Sequence, residues 1–382
     1  MTVIALGTGI RLWIAFTNYG WPYDVGSAYA VAKQLASSPL HAYAVLRWPY
    51  PGGYLPVVLL CREIAHLTGA AFWAVWKVPP IICDAGIAAL LAWGLTRLGR
   101  SSRERFIATS LVALGPSFIL ISGYHGQIDS AMTLPALAAV LVWWLGPRER
   151  RAWQAGILIG VAAAIKQPAF FVVLALLPTA RSWREAAVVL ALAAGIPLLS
   201  VLPFLAADPH PTWHSLTHNQ GVPGIGGLSL VLQPGLVHTT VRGQFGFPNA
   251  LNAWFYERQN WIVGLSVLAS GLFAYRKRLD PIPAAVLIWL TVYVSNFNWS
   301  YQYFVWGLPF FLLAGWRARV AAIQLGLLLP AAELYFRFGV PDLTWLYLPL
   351  VMCVWAGCAV WLLATIVRPR APVWAAARDT VR

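Results

Sequence analysis

Long apolar runs separated by short polar stretches occupy almost the whole chain, the pattern of helices that each need about 20 apolar residues to span a bilayer. The clearest runs are 71–93, 106–122, 128–145, 186–207, 261–275, 282–297, 303–314, 321–338 and 345–367. Residues 153–165 and 169–179 are each too short to cross comfortably, and they meet at Lys166-Gln167-Pro168. They predict a broken hairpin with a polar elbow in the outer half of the membrane, tolerable where it lines a cavity. Residues 55–68 contain Arg62, Glu63 and His66 and have no crossing left to make, which predicts an interfacial or re-entrant helix. The expected fold class is an all-α polytopic membrane protein, a helical bundle of about twelve crossing or half-crossing helices.

Basic loops mark the cytoplasmic side of such a bundle. Arginine-bearing loops at 97–105, 148–151, 181–184, 276–278 and 317–319, and the arginines after Val367, fix the parity of the runs between them. Residues 17–54 then form a first outer loop, with an interfacial helix at 25–35 and a second at 55–68 directly after it. Residues 208–256 form a long outer loop, and 258–382 supply the C-terminal helices of one transmembrane domain covering 1–382. The expected location is integral and multi-pass, in the plasma membrane if the source is prokaryotic, with the chemistry on the extracytoplasmic face. The first apolar run lacks a basic leader and a small-residue cleavage site, so a cleavable signal peptide is not expected.

Composition agrees with this pattern: mean hydropathy is +0.67, and only 10% of residues are charged. The net charge of +14 sits in short clusters between apolar runs, which is an orientation signal and excludes a nucleic-acid-binding face. The 21 tryptophans suit membrane interfaces and aromatic-walled pockets. Cys61, Cys83, Cys353 and Cys358 lie inside apolar runs without metal-ligand spacing and read as small core residues.

Against 13 carboxylates in the whole chain, Asp24 stands out as the first acid, flanked by Trp21, Pro22 and Tyr23 just outside an apolar run. It reads as a catalytic base, with a helix cap for residues 25–36 as the simpler alternative. The same topology places His41, Lys77, Tyr124, His125, Gln127, Asp129, Lys166, Gln167, the loop 208–258 and the run 296–303 at the outer face, whereas the inner face offers little beyond arginine. This asymmetry favours an outward-facing enzyme over a transporter, which needs a path to both sides. Lys77 and Asp84, seven residues apart, would share a helix face as a polar seam or as substrate contacts. His210, His214 and His218 recur every four residues; solvated loop, substrate contact and zinc site stay open for them. The run 221–227, Gly-Val-Pro-Gly-Ile-Gly-Gly, reads as a mobile covering segment.

In order along the chain, these motifs resemble those of the GT-C superfamily, membrane glycosyltransferases that use polyprenyl-phosphate sugars. Pro22-Tyr23-Asp24-Val25 resembles the catalytic-aspartate motif, and Trp48-Pro49-Tyr50-Pro51-Gly52-Gly53-Tyr54 the aromatic, proline-rich segment before the next helix. Lys77-Val78-Pro79 with Asp84 is similar to a Lys-x-Pro...Asp helix of bacterial members. His125-Gly126-Gln127-Ile128-Asp129-Ser130 resembles their Gly-Gln-x-Asp-Ser turn, and Lys166-Gln167-Pro168 their elbow. Ser300-Tyr301-Gln302-Tyr303-Phe304-Val305-Trp306 is similar to a run in the enzyme that adds the first mannose to the GPI-anchor precursor. Val25-Gly26 follows Asp24, so the Asp-x-Asp pair of some members is absent and no cofactor is firmly implied, a divalent metal included.

The resemblance implies a GT-C bundle and an inverting hexosyltransferase, mannose being the favoured sugar. The expected partners are a polyprenyl-phosphate sugar donor, a lipid or glycan acceptor, and membrane lipids. Phosphate, with a second pKa near about 6, leaves without an acid's help, so one carboxylate suffices where a glycosidase needs two. Asp24 is the expected base. Lys166, His125, Gln127, Gln167, Gln302, Tyr303 and Arg242 are candidates for the donor phosphate and sugar, and Asp129, Lys77, Asp84, His214 and His218 are further polar candidates. A lipid-linked-sugar flippase or secondary transporter is the rival reading.

Overall fold

A computed structural model describes residues 1–218, 221–241, 249–336 and 344–368, and these residues form helices and no strand. The chain folds as two compact units, one drawn from Met1–Gly94, Arg105–Val173 and Ala180–Asn219, the other from Leu95–Glu104, Leu174–Thr179 and Gln220–Arg382. The first half of the chain supplies α1 (Thr2–Thr17), α2 (Pro22–Ser37), α3 (Leu55–Thr68), α4 (Phe72–Val75), α5 (Val78–Arg97), α6 (Ser102–Ala113) and α7 (Pro116–Phe118). Then come α8 (Asp129–Leu145), α9 (Arg151–Ile165), α10 (Val173–Leu176), α11 (Trp183–Ala207) and α12 (Pro209–Thr217). The rest is α13 (Leu228–Leu232), α14 (Leu236–Val241), α15 (Ala250–Arg276), α16 (Pro281–Ser295), α17 (Gln302–Leu313), α18 (Arg317–Tyr335) and α19 (Thr344–Val367).

Among the described residues, Phe72–Arg97, Ser102–His125, Trp183–Ala207, Arg317–Tyr335 and Trp345–Val367 are long and apolar enough to cross a membrane, and shorter apolar helices accompany them. The protein is an integral membrane protein. One backbone break falls where proline removes a donor. Before Pro168, Lys166 is extended (φ −155°, ψ 124°), and a 3₁₀ segment Gln167–Val172 follows, so the elbow expected between two short runs is present.

In the first unit, α9 and α11 pack closely because Gly156-Ile157-Leu158-Ile159-Gly160 presents two glycines one turn apart. A Cβ on Gly160 would lie 2.6 Å from the Leu192 carbonyl oxygen, and one on Gly156 would lie 2.9 Å from Leu192 Cβ. Gly160→Leu should therefore separate the two helices at a cost of roughly 1–3 kcal/mol. A lowered thermal midpoint in detergent is the expected result; an unchanged midpoint contradicts the packing argument.

In the second unit, α16 and α17 are buried along almost their whole length. The stretch expected as a long loop contains α12, α13, α14 and the start of α15. Its glycine-rich run is a packed element, which corrects the expectation of a mobile cover. Residues 223–227 are buried, Tyr347 Oη donates to the Ile225 carbonyl (3.0 Å), and the backbone continues by pairing Leu228 N with Asn296 O (3.1 Å) and Ser229 N with Phe297 O (2.9 Å). Gly226 and Gly227 here serve close approach to Trp299, a use that composition alone does not separate from an open loop.

Candidate active site

Pro22 occupies the first position of α2, where its missing N–H costs nothing, and Asp24 falls in the first turn. The unpaired amides and helix dipole at that end favour a carboxylate. Trp21, with no side-chain cap bond, holds the N-cap position, so Asp24 is not the cap of this helix. The Asp24 side chain is 26% exposed and thus within reach of a substrate, and its Oδ2 accepts a hydrogen bond from Nε2–H of the buried His125.

His125 ends a wide π-helical turn, Ile119–His125, that continues α7. Such a turn inserts an extra residue and so re-aims the side chains beyond it. Gly126 then adopts φ +84°, open to glycine at little cost, and the chain turns into α8 at Asp129. Two tryptophans fix this turn: Trp76 Nε1 donates to Gly126 O (2.8 Å), and Trp21 N donates to His125 O (3.4 Å).

Lys166, at the C-terminal end of α9, is buried and its Nζ donates to Asp129 Oδ1 at 2.7 Å. The same ammonium lies 4.9 Å from the centre of the Tyr50 ring. Tyr50 Oη in turn donates to Gln127 Oε1 (3.4 Å), its carbonyl accepts from Tyr43 Oη (2.7 Å), and Gln167 Nε2 donates to the neighbouring Pro49 carbonyl (2.6 Å). Asp24, His125, Gln127, Asp129, Lys166 and Gln167, scattered along the sequence, are thus gathered in one unit. Tyr50 joins them as a residue whose role was not foreseen; its place between two prolines in the aromatic segment was the available signal.

Burial opposes the charge on Asp24, but the hydrogen bond and charge of His125, the hydrogen bond of Gln127 and the charge of Lys166 outweigh it and hold the carboxyl below its ordinary value. Burial first, then the charges of Asp129 and Asp24, push the Tyr50 phenol well above its ordinary value, so it stays a donor. The arrangement is a reachable carboxylate, its pKa held down, with the ammonium of Lys166 nearby bonded to a second carboxylate.

The other expected residues lie elsewhere. Lys77 sits in the turn before α5, and its Nζ donates to Asn18 O (2.6 Å); Asp84, within α5, pairs with Arg11 (2.9 Å). Lys77 and Asp84 thus each have their own partners within the span Phe72–Arg97. His214 and His218 are exposed on and just after α12 with rings stacked 4.5 Å apart, and His218 Nδ1 meets Thr217 Oγ1 (2.8 Å). Among the described residues, no three His, Cys, Asp or Glu side chains are grouped to hold a metal. Gln302 and Tyr303 belong to the second unit, where Gln302 Oε1 accepts from Ser300 Oγ (3.2 Å) and Tyr303 stacks on Trp306 (4.3 Å). Arg242 lies outside the described residues.

The fold is that of a multi-pass membrane protein. The sequence model of Glycosyltransferase family 87 matches residues 48–296, more than half of the 382 residues, and the chain belongs to that family. It is a GT-C-type glycosyltransferase. No curated protein matches significantly in sequence. Among solved structures, the chain is similar to the Archaeoglobus fulgidus oligosaccharyltransferase tethered to an acceptor peptide containing the NVT sequon, with 13% identity and a TM-score of 0.38. That similarity covers 96% of this chain and 54% of the oligosaccharyltransferase, so the chain spans about half that protein's length.

Proposed function

We propose that this family member is an inverting transferase that moves a hexose, mannose in the first instance, from a polyprenyl-phosphate carrier to an acceptor hydroxyl at the extracytoplasmic face. The observation carrying this reading is the bond from His125 to Asp24, which fixes the carboxylate and keeps it ionised while leaving it reachable. Asp24 accepts the proton of the acceptor hydroxyl as that oxygen attacks the anomeric carbon from the face opposite the phosphate. The leaving phosphate needs charge stabilisation, not protonation, and Lys166 with the Gln127 amide supplies it in a partly dry site. The lipid carrier explains why such chemistry sits among membrane helices.

The test is transfer in membranes given radiolabelled polyprenyl-phosphate hexoses. A labelled lipid or glycan product with the anomeric configuration opposite to the donor's is expected. Retained configuration rejects the inverting mechanism, and activity with nucleotide sugars alone rejects the carrier. The pH profile checks the base. With the carboxyl pKa depressed, Asp24 is ionised throughout the range above the usual aspartate value of about 3.9, so the rate should fall only below that value. His125→Ala removes the depressing bond and should move this acidic limb to higher pH; a limb that does not move assigns it to another group.

A further inference from the structure

Asp84 and Arg11 take no part in the transfer chemistry, yet they are buried to about 1% exposure inside the first unit, where a charge is costly unless paired. Arg11, on α1, donates through Nε to Asp84 Oδ2 (2.9 Å), through Nη1 to Gly7 O (2.9 Å) and Ala113 O (2.5 Å), and through Nη2 to Val112 O (2.8 Å). Val112 and Ala113 end α6 just before the break at Gly115-Pro116, so the guanidinium satisfies carbonyls that the broken helix leaves open. Asp84 accepts on Oδ2 from Ser122 Oγ (2.5 Å) and on Oδ1 from Ser130 Oγ. Ser122 lies in the π-helical turn three residues before His125, and Ser130 follows Asp129. The two oxygens of one carboxylate therefore hold the two ends of the segment that carries His125, Gln127 and Asp129.

We infer that Asp84, anchored by Arg11, is a positioning residue that sets the geometry of the His125–Asp129 turn and through it the alignment of His125 on Asp24. This rests on the reading of Asp24 as the base. A carboxylate is required because both serines donate to it, and an amide offers one acceptor oxygen where two are used. The conformational work is local: Ser122 and Ser130 suffice to transmit it, and their hydrogen bonds to Asp84 involve none of the reacting groups.

The experiment compares Asp84→Asn, the milder double variant Ser122→Ala/Ser130→Ala, and Asp24→Asn in the full-length protein in membranes, with radiolabelled polyprenyl-phosphate mannose as donor. The serine variant keeps the buried ion pair and provides the reading if Asp84→Asn does not accumulate. Misplacement of a catalytic group by about 1 Å costs on the order of 100-fold, so kcat should fall by about tenfold to 100-fold at a KM for donor close to wild type. The acidic limb of the pH profile should also move upward, as His125 loses its hold on Asp24; the groups facing Asp24 are His125 from the π-helical turn, Gln127 beyond it, Lys166 from the end of α9 and Tyr50 from the aromatic segment. A loss of folding alone would lower kcat through the amount of active protein and leave KM and the limb in place; that pattern overturns positioning. Wild-type kcat and pH profile in the serine variant, with Asp24→Asn inactive, overturn the inference while leaving the base intact. Full activity in Asp24→Asn overturns both.

Discussion

Asp24→Asn is expected to lose transfer by about 10²–10⁴-fold, the usual contribution of a positioned general base, while accumulating in membranes at the wild-type level. The substitution is close to isosteric and lies in the first turn of α2, where an amide is tolerated, so the helix has no reason to unfold. It removes the ability to take a proton and changes little else. Transfer is measured with labelled polyprenyl-phosphate sugar, and folding by the thermal midpoint in detergent. Full activity in this variant would remove Asp24 from the chemistry and with it the inverting mechanism as described.

Lys166 has the second large effect, with two separable components. The ammonium is bonded to Asp129, whose side chain has no exposure. Removing one partner of a buried ion pair typically costs about 3–5 kcal/mol, whereas neutralising both is often tolerated. Lys166→Met should therefore lower stability sharply, and Lys166→Met/Asp129→Asn should recover most of it. If Lys166 also meets the donor phosphate, the recovered double variant should still use donor poorly, with a raised KM. A double variant that is both stable and wild-type in donor dependence would make the pair purely structural.

Much of this arrangement is legible in the amino-acid order. In a chain so poor in charge, Asp24, His125, Gln127, Asp129 and Lys166 are conspicuous, and apolar periodicity with the arginine loops places them in mutually consistent segments. The elbow at Lys166 follows from two runs too short to cross and a proline between them. Pairing is the part that is not legible. Arg11 and Asp84 are 73 residues apart and Lys166 and Asp129 are 37 apart, and no local periodicity links residues at such separations. Nor does the amino-acid order reveal that the segment before His125 is a π-helical turn, because a single extra residue leaves the apolar pattern nearly unchanged. The same ambiguity let a glycine-rich run pass for an open cover when its small residues serve close packing.

That π-helical turn makes the site a matter of counting. An α-helix advances about 100° per residue around its axis, and residues 119–125 hold their geometry by carrying one residue more than the regular spacing would. Deleting a single apolar residue there would let the segment relax into ordinary helix and swing His125 away from Asp24, leaving every reactive side chain in the protein but no longer together. In this region the number of residues, as well as their apolar character, sets where His125 points.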